Sequence, residues 1–287
     1  MAGSGATRPG VTRIVHLTDL HFGCEAPGLV APLQAAIRQA RPDLVVVTGD
    51  LSHRARAAQF RAAVAFLDGL AARYVTMPGN HDVPLFDLAA RVLWPFRGWR
   101  RAVGAGQGLQ VACGAARVFC ANTADPWRWR RGVLRAREQQ QMRDWLAQGT
   151  GGMVNDGGAV NILACHHPLV VPPGFDRGET RGAAAALPLL AGAGVQVVLS
   201  GHLHHWDIGP GITATTSGPV LHVQTGTALC GRAGERDHGF AVLEVAPGAV
   251  AVTPWQHDSA TGAFVPQSAQ RFRRANGGWL RDGTPGL

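Results

Sequence analysis

Lysine is absent from the 287-residue sequence, and all 27 basic side chains are arginine. The absence excludes Schiff-base chemistry, pyridoxal phosphate attachment and the P-loop lysine that contacts nucleotide phosphates. Richness in Ala, Gly and Arg indicates a coding bias rather than a choice at each site, but the chemical exclusion holds regardless.

A long apolar run and a paired cysteine motif are also missing. No stretch approaches the ~18 apolar residues of a transmembrane helix. The five cysteines are scattered and form no C-x-x-C pair, which is typical of a reducing cytoplasm rather than of a disulfide framework. We therefore expect a cytoplasmic protein with buried, unpaired thiols.

Acidic residues are scarce in one segment. Residues 91–137 contain ten arginines and one acidic residue, a local net charge of +9, whereas the rest of the chain sums to −1. Because the charge is local, we expect no stable nucleic-acid partner. Tryptophans alternate with these arginines, which leaves several interpretations open: a packed helical cap, a lid that attracts anionic substrate, an acidic lipid surface at the inner face of the membrane, or a base-stacking platform.

Strand and helix patterns alternate through most of the chain. Helical patterns at about 31–40, 54–72, 138–148 and 180–192 separate β-rich runs at 11–19, 44–50, 73–80, 159–168 and 195–205. This order predicts parallel βαβ units, and short alternating strands follow from 213 to 252.

One domain is predicted, with flexible ends. We expect a disordered leader at 1–10, a domain at 11–257 with a basic Trp/Arg insertion at about 85–137, and a poorly anchored tail at 258–287 that is rich in Arg, Gly and Pro. A homodimer is compatible with the sequence.

Each strong strand is followed by metal-binding side chains. The carboxyl ends of strands in an open α/β sheet form its binding crevice, so we expect these side chains to meet there. They are Asp19, His21, Asp50, Asn80, His81, Asp82, His166, His167, His202, His204 and His205.

The donor types indicate the kind of ion. Imidazole, carboxylate and one amide oxygen without thiolate suit Mn, Fe or Zn. The ligands are too many for one tetrahedral site, whereas two ions that share a carboxylate fit the number.

These motifs resemble those of the calcineurin-like metallophosphoesterases. The motifs are D-x-H at 19–21, GD at 49–50, GNHD at 79–82, the first His of HHP at 166 and GHLH at 201–204. The runs HLTDLHFG and GNHDVPL look most like the bacterial class III cyclic-nucleotide phosphodiesterases. The resemblance implies a four-layer αββα sandwich of two mixed β-sheets flanked by helices.

The resemblance also implies roles for the motif residues. Asp19, His21 and His204 would hold one divalent ion, and Asn80, His166 and His202 the other, with Asp50 bridging both. His81 would face the substrate phosphate as the catalytic histidine, and Asp82 would orient it. A hydroxide bridging two ions roughly 3.5–4 Å apart would attack the phosphoester, as in other two-metal sites.

The remaining histidines have weaker predictions. We expect His16 to pack in the core and the side chains of His167 and His205 to point away from the metals. His53 and His205 are also candidates for contact with substrate.

The implied enzyme is a phosphodiesterase acting on a small anionic phosphoester, in first place a 3′,5′-cyclic nucleotide. The Trp/Arg segment favours an alternative, a hydrolase of an amphipathic phosphoester such as a nucleotide-sugar lipid pyrophosphate or a phospholipid. A DNA repair nuclease is disfavoured because the sequence has no evident coiled coil or DNA-binding domain. A non-catalytic scaffold is disfavoured because no expected ligand is missing.

Overall fold

The computed structural model describes residues 9–104, 110–148, 158–172, 174–175, 180–212, 218–275 and 277–283, so most of the predicted leader lies outside it. The helices in this part of the chain are α1 Val30–Ala40, α2 Ala57–Asp68, α3 Leu88–Leu93, α4 Arg97–Val103, α5 Ala136–Gln148 and α6 Ala183–Gly192. The strands are β1 Thr12–Leu17, β2 Leu44–Val47, β3 Tyr74–Thr76, β4 Gln110–Cys113, β5 Ala116–Ala121, β6 Val160–Cys165, β7 Val197–Ser200, β8 Asp207–Ile212, β9 Val220–Gln224, β10 Gly239–Ala246, β11 Ala249–Asp258, β12 Ala263–Pro266, β13 Gln270–Ala275 and β14 Gly278–Arg281.

The strands form two mixed sheets. The first sheet has the order β14-β13-β11-β10-β1-β2-β3, with β12 paired to β11, and the second has the order β4-β5-β6-β7-β9-β8. The β1-β2-β3 pairs and the β5-β6-β7-β9 pairs are parallel, as the βαβ pattern predicted.

Three apolar layers hold the sheets and helices together. Along β1, Ile14 points into the layer between the two sheets, whereas Val15 and Leu17 point into the layer beneath α1 and α2. A third layer packs α5 and α6 on the outer face of the second sheet. Because side chains alternate along a strand, the apolar run of β2 is buried on both faces. The predicted four-layer αββα sandwich is confirmed.

The predicted basic insertion is divided by the fold. Residues 110–121 form β4 and β5 of the second sheet, so they are core rather than cap. The segment outside the sheets consists of α3, α4 and the loop at 122–135.

The prediction of a poorly anchored tail after residue 257 is wrong. The described residues there form β12, β13 and β14, which extend the first sheet beyond β11. Phe272 and Trp279 are buried between the sheets, and the Trp279 indole N–H donates to the Gln196 carbonyl at 2.8 Å. The arginines of these strands lie on or near the surface. Because they dominate the composition of this segment, its pattern of half-buried strands was not recognised in the sequence.

No helix in the described ranges is long and apolar enough to span a lipid bilayer.

Replacing Trp279 tests whether the C-terminal strands contribute to the fold. Trp279→Ala is expected to lower the free energy of unfolding by about 3–5 kcal/mol, because a fully buried aromatic side chain is removed. Trp127→Ala is the matched control, since Trp127 is 72% exposed, and it should change stability by less than about 0.5 kcal/mol. Urea denaturation measures both, and equal effects would contradict the assigned burial.

Candidate metal centre and substrate pocket

Seven potential metal ligands follow five strands of the two sheets. They come after β1, β2, β3, β6 and β7, and they are Asp19, His21, Asp50, Asn80, His166, His202 and His204. The structure brings together all seven positions that the motifs predicted.

The turns that carry these residues have unusual backbone geometry. Of eight non-glycine residues with positive φ in the described ranges, five belong to this group: Asp19 (53°), His21 (47°), Asp50 (52°), His202 (70°) and His204 (53°). The left-handed conformation costs such residues roughly 1–3 kcal/mol each. Its concentration here supports a functional reason for the turns.

Asp19, His21 and His204 form the first group. The Nε2 atoms of His21 and His204 are 3.3 Å apart, and Asp19 Oδ1 lies 3.4 Å and 3.1 Å from them. Asp19 Oδ2 accepts hydrogen bonds from the Thr18 hydroxyl at 2.6 Å and the His202 backbone N–H at 2.9 Å. Asp19 is thus fixed with one oxygen directed at two ring nitrogens.

Asn80, His166 and His202 form the second group. His166 Nε2 lies 3.1 Å from the side-chain oxygen of Asn80, and the rings of His166 and His202 are 5.1 Å apart between centroids. Asn80 also donates through its side-chain nitrogen to the Trp129 carbonyl at 3.0 Å, which fixes the direction of its oxygen.

Asp50 lies between the two groups. Its Oδ2 atom is 3.6 Å from His21 Nε2 and 3.4 Å from His166 Nε2, while Oδ1 accepts a hydrogen bond from the His81 backbone N–H at 2.8 Å. Burial alone would raise the pKa of Asp50, but the neighbouring His166 and His81 outweigh burial and lower it. The carboxylate is therefore ionised, with one oxygen facing both groups.

Gly79 permits this approach between two strand-end turns. A Cβ atom at position 79 would collide with the Asp50 carboxylate and with its backbone nitrogen. The glycine of the GNHD motif is thus explained by contact with Asp50 rather than by the turn alone.

Two imidazoles are held so that Nε2 faces the carboxylates. The Nδ1–H of His166 donates to the Thr48 carbonyl at 2.8 Å, since a carbonyl only accepts. Nδ1 of His204 lies 2.6 Å from Glu235 Oε1. Outer partners of this kind commonly orient metal-ligating histidines.

The electrostatics of the cluster are those of a cation site. Burial lowers the pKa of His202 to about 3 and also lowers that of His21, so both imidazoles are neutral. Burial acts in the same direction on His166 and His204, but Asp50 and Asp19 respectively outweigh it and raise both pKa values to about 9. Positive charge is favoured where these nitrogens meet the carboxylates.

The donor set fits two divalent metal ions. Each group offers imidazole nitrogen together with an oxygen ligand, and Asp50 can serve both with one oxygen. Nitrogen and oxygen donors without thiolate are compatible with Mn, Fe or Zn. His167 Nε2 is buried beside His202 without a hydrogen-bond partner in the described structure, which is costly unless something binds the cluster.

His81 and His53 border a pocket beside the cluster. The His81 Nδ1–H donates to the His53 carbonyl at 2.9 Å, which leaves Nε2 for other partners. The two rings stack with centroids 5.4 Å apart, and the His81 ring lies 4.7 Å from that of His21. Burial, together with Arg54, lowers the pKa of His53 to about 4. His53 and His81 both line the pocket.

The pocket is basic. Its volume is about 250 Å³, and its lining includes Arg54, Arg91, Arg130, Arg232 and Trp129. None of its ten lining residues is acidic. Such a pocket raises the local concentration of anions.

Asp82 was predicted to orient His81, but it does not hold the imidazole ring of His81, so the predicted role is corrected. Its buried carboxylate accepts from the backbone N–H groups of Leu51 at 3.1 Å, Ser52 at 2.9 Å and Gly79 at 3.0 Å, and from the Ser52 hydroxyl at 2.9 Å. The His53 carbonyl holds the His81 ring instead. Asp82 joins the loops after β2 and β3, because two runs of backbone donors converge on it.

The other predicted histidines have mixed outcomes. His16 is a core residue, as expected, with Nε2 2.9 Å from the Thr48 hydroxyl. His167 was expected to point away but is buried with its ring 4.5 Å from that of His202, because Thr123 holds its Nδ1 at 3.0 Å. His205 is exposed and does not line the pocket, and its ring centroid lies 4.9 Å from that of Phe175.

Several residues of the site belong to none of the sequence motifs. Glu235 follows His204 by 31 positions and lies in a loop after β9, and Arg232 in the same loop has a guanidinium nitrogen 3.3 Å from His204 Nε2. The pocket arginines and Trp129 belong to the basic composition noted above, but nothing local distinguishes them from exposed neighbours. These residues are identified only by the contacts that they make in the folded structure.

Residues 12–206 match the family model described as Calcineurin-like phosphoesterase. The chain therefore belongs to the calcineurin-like phosphoesterase family and is a metal-dependent phosphoester hydrolase.

Two curated relatives carry related names. A cAMP/cGMP dual specificity phosphodiesterase of Mycobacterium tuberculosis is 27% identical over 297 residues, which cover 92% of this chain and 86% of that protein. A probable cyclic nucleotide phosphodiesterase of Synechococcus is 27% identical over 226 residues, covering 74% of this chain and 81% of that protein.

Solved structures show the same fold. A purple acid phosphatase from yellow lupin (Lupinus luteus) seeds has a TM-score of 0.64 at 17% identity, and the match covers 91% of this chain and 54% of that chain. PhoD has a TM-score of 0.67 at 12% identity, covering 99% of this chain and 73% of that chain. The present chain thus spans about half the length of the lupin enzyme.

Shortening Glu235 should weaken the first group's hold on a metal. Glu235→Ala is expected to lower Mn²⁺ affinity by about 10–100-fold, because His204 loses the acceptor that fixes its ring, whereas Glu235→Gln should retain part of it. Glu244→Ala is the control, since Glu244 pairs only with Arg13 among its described ion-pair partners. Titration calorimetry gives the affinities, and an unchanged value for Glu235→Ala would refute the orienting role.

Proposed function

We propose that the protein is a dinuclear-metal phosphodiesterase. Asp19, His21 and His204 would hold one ion, Asn80, His166 and His202 would hold the other, and Asp50 would bridge them. The observation that carries this proposal is the position of Asp50 Oδ2, within 3.6 Å of ring nitrogens in both groups.

The protein's own residues would bind, orient and protonate. Two bound divalent ions would activate water and neutralise phosphate charge. Arg54 and Arg232 would attract the phosphoester into the pocket. The His81 ring, anchored through Nδ1, would direct Nε2 at the phosphate and, when protonated, give its proton to the leaving oxygen. Asp82 would keep the Asp50 and His81 turns in register.

The proposed substrate is a 3′,5′-cyclic nucleotide. The names of both curated relatives support this class. The pocket supports it independently, because the exposed Trp129 ring, which the Arg91 guanidinium covers at 5.3 Å on one side, offers a planar surface for a base beside the candidate metal cluster.

A second candidate is a hydrolase of an amphipathic phosphoester. The observation in its favour is the exposure of Trp94 (56%) and Trp127 (72%) on segments adjoining the pocket. A reducing, cytoplasmic setting is proposed in either case, because all five cysteines are unpaired.

Removing the His81 ring should separate chemistry from metal binding. His81→Ala is expected to slow hydrolysis of bis(p-nitrophenyl) phosphate by about 10²–10⁴-fold while metal content stays constant, because its backbone N–H still serves Asp50. His257→Ala is the control, since His257 lies on β11 away from the pocket. Wild-type turnover by His81→Ala would exclude the proposed role.

Trp129→Ala tests the nucleotide assignment. A stacked base contributes about 1–3 kcal/mol, so the KM for cyclic AMP should rise roughly 5–150-fold. Glycerophosphocholine, a diester without a ring, should show little change in KM. An equal effect on both substrates would remove the support for base stacking.

A further inference from the structure

Exposed apolar side chains are concentrated in one region. Nine large apolar residues are strongly exposed in the part of the chain that the structure describes, and seven of them lie within 86–94 and 127–129: Phe86, Leu88, Val92, Leu93, Trp94, Trp127 and Trp129. Soluble surfaces rarely gather so many apolar side chains in two short segments, so a patch of this kind marks an interaction site.

The two segments form one surface, here called the cap face and defined as residues 86–101 and 127–131. Arg91 joins them, since its Nε donates to the Pro126 carbonyl at 2.6 Å and a terminal nitrogen donates to the Pro84 carbonyl at 2.8 Å. Its guanidinium also lies over Trp129, 5.3 Å from the ring centre. The buried arginine thus fixes the distance between the apolar segments.

The cap face is strongly cationic. Exposed arginines lie between its apolar residues: Arg97, Arg100, Arg101, Arg128, Arg130 and Arg131. Acidic residues in or beside it are few: Asp87 caps α3 through the Ala90 N–H, and the buried Asp125 lies 3.9 Å from Arg128 and from Arg181. Arg97 also lies over the Trp94 ring at 5.8 Å.

We propose that the cap face docks the enzyme on an anionic lipid bilayer. Tryptophan and leucine would enter the boundary between headgroups and acyl chains, while the arginines would remain at the level of the anionic phosphates. Because Trp129 and Arg130 also line the pocket, docking would place the pocket entrance beside the membrane surface.

Charge complementarity favours a lipid surface over a second copy of the chain. Two cap faces would bring their arginine clusters together, with Asp87 as the one exposed acidic residue on each face. An anionic membrane supplies negative charge over the entire face, and its attraction is limited to about a Debye length. Docking of this kind goes beyond the proposed activity and does not depend on it.

Vesicle co-sedimentation tests the proposal on the whole chain, and the assay does not require enzymatic turnover. Wild-type protein should bind vesicles of phosphatidylcholine with about 30% phosphatidylglycerol, bind pure phosphatidylcholine much more weakly, and dissociate as salt increases. The variant Trp94→Ser/Trp127→Ser and the variant Arg128→Gln/Arg131→Gln should each lower the partition coefficient by about tenfold or more.

Matched controls make the same kinds of substitution on other surfaces of the protein. Val170→Ser/Leu189→Ser removes exposed apolar side chains, and Arg271→Gln/Arg281→Gln removes exposed charges from β13 and β14 at the opposite edge of the first sheet. Both should bind vesicles like the wild type. Trp94→Ser/Trp127→Ser should still hydrolyse bis(p-nitrophenyl) phosphate at the wild-type rate, which shows that it is folded.

Several outcomes would overturn the proposal. These are no binding to anionic vesicles, equal binding to neutral and anionic vesicles, or equal losses in cap-face and control variants. A dimer in light scattering that Trp94→Ser/Trp127→Ser dissociates would show that a second copy of this chain covers the cap face instead.

Discussion

The arrangement of this site depends on one buried carboxylate. Asp50 Oδ2 lies within 3.6 Å of ring nitrogens from two different groups, and those nitrogens come from opposite sheets of the sandwich. A carboxylate with so little exposure is tolerated only where positive charge faces it. Asp50 raises the pKa of His166 to about 9, so positive charge is favoured beside it, and two bound divalent cations would supply that charge.

The surrounding backbone is fitted to this carboxylate. Left-handed turns occur at five candidate ligand positions at the strand ends, and Gly79 lets the GNHD turn approach Asp50 closely. Asp82 then accepts hydrogen bonds from the turns after β2 and β3, so the two loops are tied together. The GNHD motif thus supplies a close contact with Asp50, an amide oxygen beside His166, an imidazole that lines the pocket and a tie between loops.

The βαβ order and the cluster of polar residues at the strand ends were predictable because both follow local rules, whereas the four layers and the selection of seven candidate ligands came from the resemblance to a known family. Buried runs such as β2 identify central strands, and polar residues at successive strand ends identify the crevice. The strands after residue 257 were missed because their arginines dominate the composition, while Phe272 and Trp279 mark the buried face only at alternate positions. Glu235 could not be predicted, since its contact with His204 joins loops with no shared pattern.

Anomalous diffraction from crystals soaked in Mn²⁺ would show whether Asp50 bridges two ions. Two peaks are expected about 3.5–4 Å apart, with Asp50 Oδ2 bonded to both. A single peak, or two peaks of which only one contacts Asp50, would contradict the bridging role.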